Sequence, residues 1–391
     1  MKKYTYFTLV AFIFSMVTVA QKPQKLSSNQ IYEKILKLNF LGSALYIAAH
    51  PDDENTRLIS FLANNEKART GYLSLTRGDG GQNLIGPEIR ELLGLIRTQE
   101  LLAARKIDGG EQLFTRANDF GYSKHPKETL EFWEKDKVLS DVVWAIRTFK
   151  PDVIINRFDH RTSGTTHGHH TTSAMLSLEA FDLANDATKY ASQLKHTETW
   201  QPKRLFFNTG RFFYKNDADF KKATEGKLTA FDVGMYYPLK GLSNNEIAAL
   251  ASSQHLCQGF GRMTTRGSQL EYVEFLKGDQ PKDVSDIFSG INTTWNRING
   301  GGEIGDILYD VEKNFDFTNP SKHLPELLKA YDKIQLLDDS HWRKIKEKQI
   351  KEIIEATAGL YLEVSATSSS STPNEGVVIK MEVLNRSDVT T

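Results

Sequence analysis

The chain has 391 residues, enough for one large domain or two ordinary ones, and its 39% apolar and 25% charged residues are typical of a globular protein. Its 49 basic and 49 acidic residues cancel, so nucleic acid is not expected among its partners. The single cysteine, Cys257, excludes an internal disulfide, a cysteine-rich zinc site and a dithiol redox centre.

Residues 1–20 have the pattern of a cleaved secretory signal peptide. Lys2 and Lys3 precede an apolar run over residues 6–19, and small residues stand just before Gln21. A retained membrane anchor is the alternative, but the apolar run is short for a membrane span. We therefore expect an exported protein (periplasmic, at the cell surface or secreted) with no stable membrane span after the signal is removed.

Strand-like and helix-like segments alternate from Ser43 onward. The predicted strands cover 43–49, 68–76, 112–115, 152–156 and 203–208, and the predicted helices cover 52–64, 87–107, 128–149 and 169–183. Alternation at this spacing is typical of βαβ units. We therefore predict an α/β fold, a Rossmann-like three-layer sandwich in which helices cover both faces of a mostly parallel sheet.

The alternation weakens beyond Gly210, where a helical C-terminal extension is predicted. Its helices cover 244–257, 325–337 and 342–361, and the last two are expected to form an antiparallel pair. Residues 367–373 then form a small, polar linker, and 375–384 alternate like a strand that cannot bury its apolar face alone. We interpret 366–391 as a linker followed by the start of a β-sandwich-like segment.

An acidic motif follows the first predicted strand. In Ala49-His50-Pro51-Asp52-Asp53-Glu54, the side chains of His50 and Asp53 are three residues apart, so they can converge on one cation at the carboxyl edge of the sheet. Asp52 is rotated by roughly 100° away from them and stays free beside the cation. As an alternative, Pro-Asp-Asp-Glu is a good helix start, with acidic groups at the positive end of the helix dipole.

A histidine motif follows the strand predicted at 152–156. His167 and His170 repeat the spacing of three. Two imidazole nitrogens and one carboxylate oxygen leave a fourth position open, which suits catalytic zinc, although Fe²⁺, Co²⁺ and Mn²⁺ accept similar ligands. Taken alone, the same histidines also suit a solvated polar loop. Both motifs follow a predicted parallel strand, and this favours a shared metal site.

Together the two motifs resemble those of the PIG-L/LmbE-type zinc-dependent N-deacetylases, such as N-acetylglucosaminyl-phosphatidylinositol de-N-acetylase. The first signature of that family matches residues 49–54 without a change. The second, usually His-Pro-Asp-His, reads His-Gly-His-His at 167–170. The resemblance covers roughly 43–209 and implies a PIG-L-type deacetylase domain, which we expect to extend over 21–365.

Carried over to this sequence, the resemblance implies a role for each motif residue. The implied zinc ligands are His50, Asp53 and His170, the general base is Asp52, and the residue that stabilises the oxyanion is His167. Substrate contacts are implied for three residues of the following loop and helix, namely Arg77, Asp79 and Arg97. Alternatively, the glycines around Asp79 simply shape a turn, and Arg97 pairs with Glu91 or Glu100 on the helix surface.

Three weaker features have two interpretations each. Arg157, Asp159 and His160 line the pocket or lie on its rim. His255 stands alone on a predicted helix, where a structural role is favoured. The aromatic residues 206–207 and 212–214 suit either sugar stacking or, as we prefer, a buried strand and its flank.

The resemblance implies a hydrolase that removes N-acetyl groups from an N-acetylated amino sugar or glycoconjugate. Its nucleophile would be a metal-bound water, activated by Asp52. The expected partner is a small molecule or glycan that carries an N-acetyl group. The alternatives are an amidase acting on another acylated amine or thiol conjugate, and a catalytically degenerate glycan-binding protein.

Overall fold

The computed structural model describes residues 25–261, 263–283 and 285–389, so the predicted signal peptide lies outside the described residues. The strands are β1 (Ser43–Ala48), β2 (Arg69–Ser74), β3 (Glu111–Phe114), β4 (Val153–Asn156), β5 (Arg204–Thr209), β6 (Leu228–Asp232), β7 (Tyr236–Tyr237), β8 (Leu242–Ser243), β9 (Leu270–Gly278), β10 (Tyr361–Ala366) and β11 (Ile379–Leu384). Seven of them form one sheet in the order β3-β2-β1-β4-β5-β9-β6. Strands β1 to β5 are parallel, β9 is antiparallel to β5, and β6 is antiparallel to β9. The predicted mostly parallel sheet is confirmed.

Helices cover both faces of this sheet. The α-helices of the described residues are α1 (Ser28–Leu38), α2 (Thr56–Asn64), α3 (Glu91–Asp108), α4 (Pro126–Phe132), α5 (Lys135–Phe149), α6 (Gly168–Leu183), α7 (Asp217–Gly226), α8 (Asn244–Ser252), α9 (Gly301–Lys313), α10 (Leu324–Gln335) and α11 (Ser340–Thr357). Leu45 and Ile47 of β1 join the core formed with α5 and α6, whereas Tyr46 and Ala48 join the core formed with α2 and α3. Because neighbouring residues of a strand point to opposite faces, both faces of β1 are buried, as in the predicted three-layer sandwich.

Several helix boundaries differ from the predictions; for example, α3 begins at Glu91 instead of residue 87, and α8 ends at Ser252 instead of residue 257. Helix α2 begins at Thr56 rather than at residue 52, because the Asn55 side chain accepts hydrogen bonds from the peptide N–H groups of Arg57 and Leu58 at 3.2 and 3.3 Å. The helix predicted over 128–149 is divided into α4 and α5, where Glu134 has a φ of +50°. The acidic residues that precede Asn55 therefore lie in a turn, so their interpretation as the first turn of a helix is wrong.

The C-terminal helical extension is confirmed, and α1 and α9, which were not predicted, pack with α10 and α11 around a third core that includes Trp295. Strands β10 and β11 pair as an antiparallel hairpin, and the helix predicted over 342–361 ends at Thr357, because Tyr361 is already the first residue of β10. A larger β-sandwich beyond this hairpin stays a prediction. Within the described part of the chain, every helix is too short or too polar to span a membrane.

Candidate metal centre

The two motifs meet at the carboxyl ends of β1 and β4, which are neighbours in the sheet. Helix α2, which follows β1, packs on one face of the sheet, and α6, which follows β4, packs on the other. The chain therefore leaves these adjacent strands in opposite directions and opens a crevice between them. Open α/β sheets bind their ligands at such a switch point.

The turn after β1 is fixed by a buried ionic network. The Glu54 carboxylate accepts the peptide N–H of Asp52 at 2.8 Å, and it lies 2.7 Å from His255 Nε2 and 3.3 Å from Arg105 Nη2. All three ionic side chains are at most 3% exposed. Asp52 has a φ of +90°, a conformation that costs a non-glycine residue about 1–3 kcal/mol and persists only when its surroundings impose it. Glu54 and its partners provide that constraint.

The three predicted ligands face one another across a short gap. Asp53 Oδ2 lies 3.0 Å from His50 Nδ1, and Asp53 Oδ1 lies 3.5 Å from His170 Nε2. All three donor atoms lie within 4.8 Å of one another. Ligands bound at about 2.0–2.1 Å in a tetrahedron stand about 3.4 Å apart. The spacing and the chemistry of this donor set therefore fit a zinc-sized divalent cation.

The charges around Asp53 also suit cation binding. Although burial raises the pKa of Asp53, the imidazoles of His170 and His50 lower it well below its usual range. Burial lowers the pKa of His170 to about 4. The set therefore offers an ionised carboxylate and, at His170, a neutral imidazole near pH 7, as metal ligands require. Although burial lowers the pKa of His50, the Asp53 carboxylate raises it overall, so cation binding at His50 is coupled to the loss of a proton.

Asp52 lies beside this set but outside it. Its Oδ2 is 2.9 Å from Arg97 Nη2. Burial raises the pKa of Asp52 to about 7, even though the Arg97 guanidinium acts in the opposite direction. A carboxylate that titrates near neutral pH and does not coordinate the cation suits a general acid and base.

A cavity of about 290 Å³ opens onto these residues. It is lined by all five residues predicted as ligands, base or oxyanion stabiliser, and also by Gly80, Gly81, Gln82, Arg97, Asp119, Gly121, Tyr122 and Gln258. Asp119, Tyr122 and Gln258 were missed by the sequence analysis. Asp119 Oδ2 lies 3.8 Å from His50 Nε2, and the Tyr122 ring lies 4.9 Å from that of His167.

The three residues predicted to contact substrate differ in their position relative to the cavity. Arg97 lines the cavity but is 3% exposed, and its donors point to Asp52 and to the Gly78 carbonyl oxygen at 3.1 Å. It therefore holds Asp52 in place, and the surface ion pairs suggested for it are wrong. Asp79 accepts the peptide N–H of Asp119 at 3.3 Å, and Arg77 covers the Phe114 ring at 4.0 Å. Neither of these two lines the cavity.

A second set of donors, His50, His167 and His169, also lies within 4.8 Å. His169 is completely buried and does not line the cavity. All three members of the set with Asp53 line the cavity, and that set includes a carboxylate, so it is the better candidate for catalysis.

Residues 45–181 match the family model described as PIG-L: GlcNAc-PI de-N-acetylase. This part of the chain is a PIG-L family domain. The resemblance predicted from the two motifs is thereby confirmed for it. No curated protein matches the chain.

Among solved structures, N,N'-diacetylchitobiose deacetylase from Pyrococcus horikoshii is 13% identical, with 58% of this chain and 83% of that chain covered and a TM-score of 0.37. A 4-carboxy-2-hydroxymuconate hydratase from Pseudomonas putida KT2440 is 12% identical, with 62% and 99% covered and a TM-score of 0.38. A deacetylase of the teicoplanin biosynthetic pathway is 14% identical, with 60% and 99% covered and a TM-score of 0.36. Likeness at this level carries no information about activity, and two different reactions are represented.

The PIG-L domain departs from the usual second motif at Gly168, where the family has proline. The Gly168 N–H donates to the Ser123 carbonyl oxygen at 2.8 Å, a bond that proline cannot make. A Cβ at this position would lie 2.7 Å from the His125 carbonyl oxygen. Glycine therefore allows the start of α6 to pack directly on the loop of residues 123–125, and this contact sets the position of His167 and His170.

The other departure, His169 in place of aspartate, changes what surrounds His50. The His169 ring lies between Phe120 and Trp133, at centroid distances of 4.5 and 4.8 Å. Its Nδ1 lies 3.0 Å from His50 Nε2. When His50 Nδ1 is a ligand, its proton sits on Nε2, and His169 Nδ1 can accept it. Burial lowers the pKa of His169 to about 2, so the ring stays neutral and remains an acceptor.

Proposed function

We propose that this protein is a zinc-dependent hydrolase that removes the N-acetyl group from an N-acetylated amino sugar or glycoconjugate. One observation carries the proposal: two imidazoles and a carboxylate converge beside a carboxylate that does not belong to the donor set, at the floor of an open cavity. The match of residues 45–181 to a de-N-acetylase family supports the reaction class.

The cation would be held by His50, Asp53 and His170. When bound, zinc would supply a Lewis acid that polarises the amide carbonyl and lowers the pKa of a water molecule. Fe²⁺ and Co²⁺ also accept this donor set.

Asp52 is proposed as the general base. Its carboxylate takes a proton from the attacking water and later passes it to the nitrogen of the substrate amide. The nitrogen can then leave as a neutral amine, which is a better leaving group than the unprotonated anion. The contact with Arg97 and the positive φ of Asp52 keep the carboxylate at the cavity instead of in the donor set. A group fixed in this way loses little entropy when the substrate arrives.

His167 is proposed to stabilise the oxyanion. Its Nδ1 accepts the peptide N–H of His169 at 3.3 Å, so the neutral ring carries its proton on Nε2. Burial, together with the charge of His50, lowers the pKa of His167, which keeps the ring neutral at physiological pH. A neutral imidazole N–H is a suitable donor for the negative charge that develops on the amide oxygen.

Export is part of the proposal because of the signal-like pattern of residues 1–20. The substrate would then be a glycan or glycoconjugate met outside the cytoplasm. The predicted absence of a membrane span after cleavage belongs to the same proposal.

The test is acetate release from a panel of N-acetylated sugars by protein purified without added metal, with its zinc content measured in parallel. We expect release from at least one sugar, loss with a chelator, and recovery on adding Zn²⁺. Release of a larger acid in place of acetate would favour the amidase alternative. Tight binding of a glycan with no bound metal and no release would favour a degenerate binding protein.

A further inference from the structure

A second, larger cavity lies at the same edge of the sheet and has no role in the mechanism above. Its volume is about 600 Å³, within the ~300–1,000 Å³ that is usual for ligand pockets. Its walls come from the turn before α2 and the first residues of α2, from the ends of β4 and β5, from the beginning of β9 and from α8. Most of this wall belongs to the part of the chain beyond residue 181, where the PIG-L match ends.

The two cavities share a wall. Asp53 lines the metal cavity and the next residue, Glu54, lines the larger one. On the other side, the Phe158 ring stacks on His170 at a centroid distance of 3.8 Å and also faces Phe213, 6.5 Å away, which lines the larger cavity. The two cavities therefore lie side by side, on opposite sides of this wall.

Most charged groups of the larger cavity already have a partner. Glu54 is held by His255 and Arg105, as described above. Glu271 pairs with Arg57, at 2.9 Å. Arg211 pairs with Asp217.

Arg157 is different from these groups. Within the described ranges, no carboxylate oxygen lies within 4 Å of its guanidinium, which instead lies over the Phe213 ring at 5.4 Å from the centroid. Its peptide N–H donates to the Ile47 carbonyl oxygen at 3.0 Å, so its backbone is fixed at the end of β4. Arg157 is thus a positioned cation without a protein anion, in a cavity with aromatic walls.

We infer that this cavity binds a carboxylate-bearing sugar, such as a uronic acid, linked to the N-acetylated residue that undergoes hydrolysis. The planar guanidinium fork matches a carboxylate in geometry. The Arg157 side chain donates a hydrogen bond to the neutral Tyr46 phenol. A singly charged group is favoured over a phosphate dianion because Arg157 is, among the described residues, the one cation lining the cavity that has no carboxylate partner, and the carboxylates of Glu54 and Glu271 are close by. Phe213 and Tyr272, which line the cavity, would contact the sugar ring. This inference rests on the proposed function, since it names the substrate of the same site.

The test compares two disaccharides that differ in one group. The first is N-acetylglucosamine joined to glucuronic acid, and the second is its carboxyl-reduced form, in which glucuronic acid has become glucose. Acetate release by the zinc-loaded full chain gives kcat/KM for each. We expect the wild type to prefer the charged form, and Arg157→Gln to lower the charged-to-neutral ratio by about 10- to 100-fold, the usual loss for a charge-assisted hydrogen bond. Arg211→Gln is the matched control, because Arg211 lines the same cavity but already has a partner, and its ratio should stay close to that of the wild type.

Direct binding gives a second readout that needs no turnover. Glucuronate should bind the wild type more tightly than glucose in a calorimetric titration, and Arg157→Gln should abolish this preference. Equal binding of both sugars, or a preference that survives in Arg157→Gln, would overturn the inference. If neither disaccharide releases acetate but the glucuronate preference depends on Arg157, then the proposed function fails while the carboxylate subsite stands. If instead both disaccharides release acetate at equal rates, the proposed function stands and the carboxylate subsite fails.

Discussion

Replacing Asp52 with asparagine tests the proposed general base separately from the proposed metal ligands. The side chain keeps its shape, but an amide cannot take a proton from water. Because Asp52 lies outside the donor set, and its Oδ2 is directed to Arg97 at 2.9 Å, the three ligands keep their positions. We expect Asp52→Asn to keep stoichiometric zinc while kcat for acetate release falls by about 10²- to 10⁴-fold, the usual contribution of a general base.

That loss corresponds to about 2.7–5.4 kcal/mol in the activation barrier. Asp53→Asn is the matched control, since it changes the adjacent carboxylate in the same way but removes a ligand. It should lose both zinc and activity. An Asp52→Asn protein that holds full zinc and works within tenfold of the wild-type rate would refute the assignment of the base. Loss of zinc from Asp52→Asn would instead place Asp52 among the ligands.

Three further changes test other parts of the centre. His170→Ala removes one of three ligands and should abolish stoichiometric zinc, measured by metal analysis after dialysis, while far-ultraviolet circular dichroism stays unchanged. Gly168→Ala places a Cβ 2.3 Å from Ser123 Oγ and should lower the free energy of unfolding by about 1–3 kcal/mol. An unchanged midpoint of urea unfolding would contradict the close packing of Gly168 on the loop of residues 123–125. Although burial lowers the pKa of His255, the Glu54 carboxylate raises it overall above its usual 6.5. The pair therefore stabilises the fold below about pH 6.5, and this stabilisation is lost as the pH rises through the raised pKa. The excess stability of the wild type over His255→Gln, from urea unfolding, should therefore be larger at pH 6 than at pH 9.

The fold class could be predicted because β1 to β5 follow a simple pattern of apolar runs and helical spacings. Two strands of the seven-stranded sheet, β6 and β9, were not predicted. Strand β9 places Glu271 and Glu274 at buried positions, which disrupts the polar–apolar pattern of a strand. Their charges are neutralised by Arg57 and Arg161, which are distant in sequence. Ion pairs between residues distant in sequence cannot be predicted from the local pattern of polar and apolar residues.

Helix α9 was missed for a different reason. It begins in a run of three glycines, which local propensity assigns to a loop. In the structure, a Cβ on Gly301 would meet the Trp295 carbonyl oxygen at 2.0 Å, and one on Gly305 would meet the Trp295 side chain at 3.0 Å. These glycines permit close packing against a buried tryptophan, and the helix gains its stability from that contact instead of from its intrinsic propensity.

The proximity of the three proposed metal ligands could be predicted because each motif is local and each follows a strand. The rest of the site comes from elsewhere in the chain. Asp119 lies in the loop beyond β3 and Gln258 beyond α8, and only the assembled sheet brings them to the cavity. For Arg97, helical spacing predicted an ion pair with Glu91 or Glu100. The side chain is buried instead, and its guanidinium pairs with Asp52, which spacing along the helix could not predict.

The C-terminal half of the chain is therefore part of the centre. His255 follows α8, far beyond the PIG-L domain, and it contacts the carboxylate of Glu54, which in turn holds the peptide N–H of Asp52. Removing one partner of a buried ion pair typically costs about 3–5 kcal/mol, because the remaining charge stays buried without compensation. The acidic motif supplies two of the three proposed ligands, but the strained turn that presents Asp52 depends on a histidine about 200 residues away.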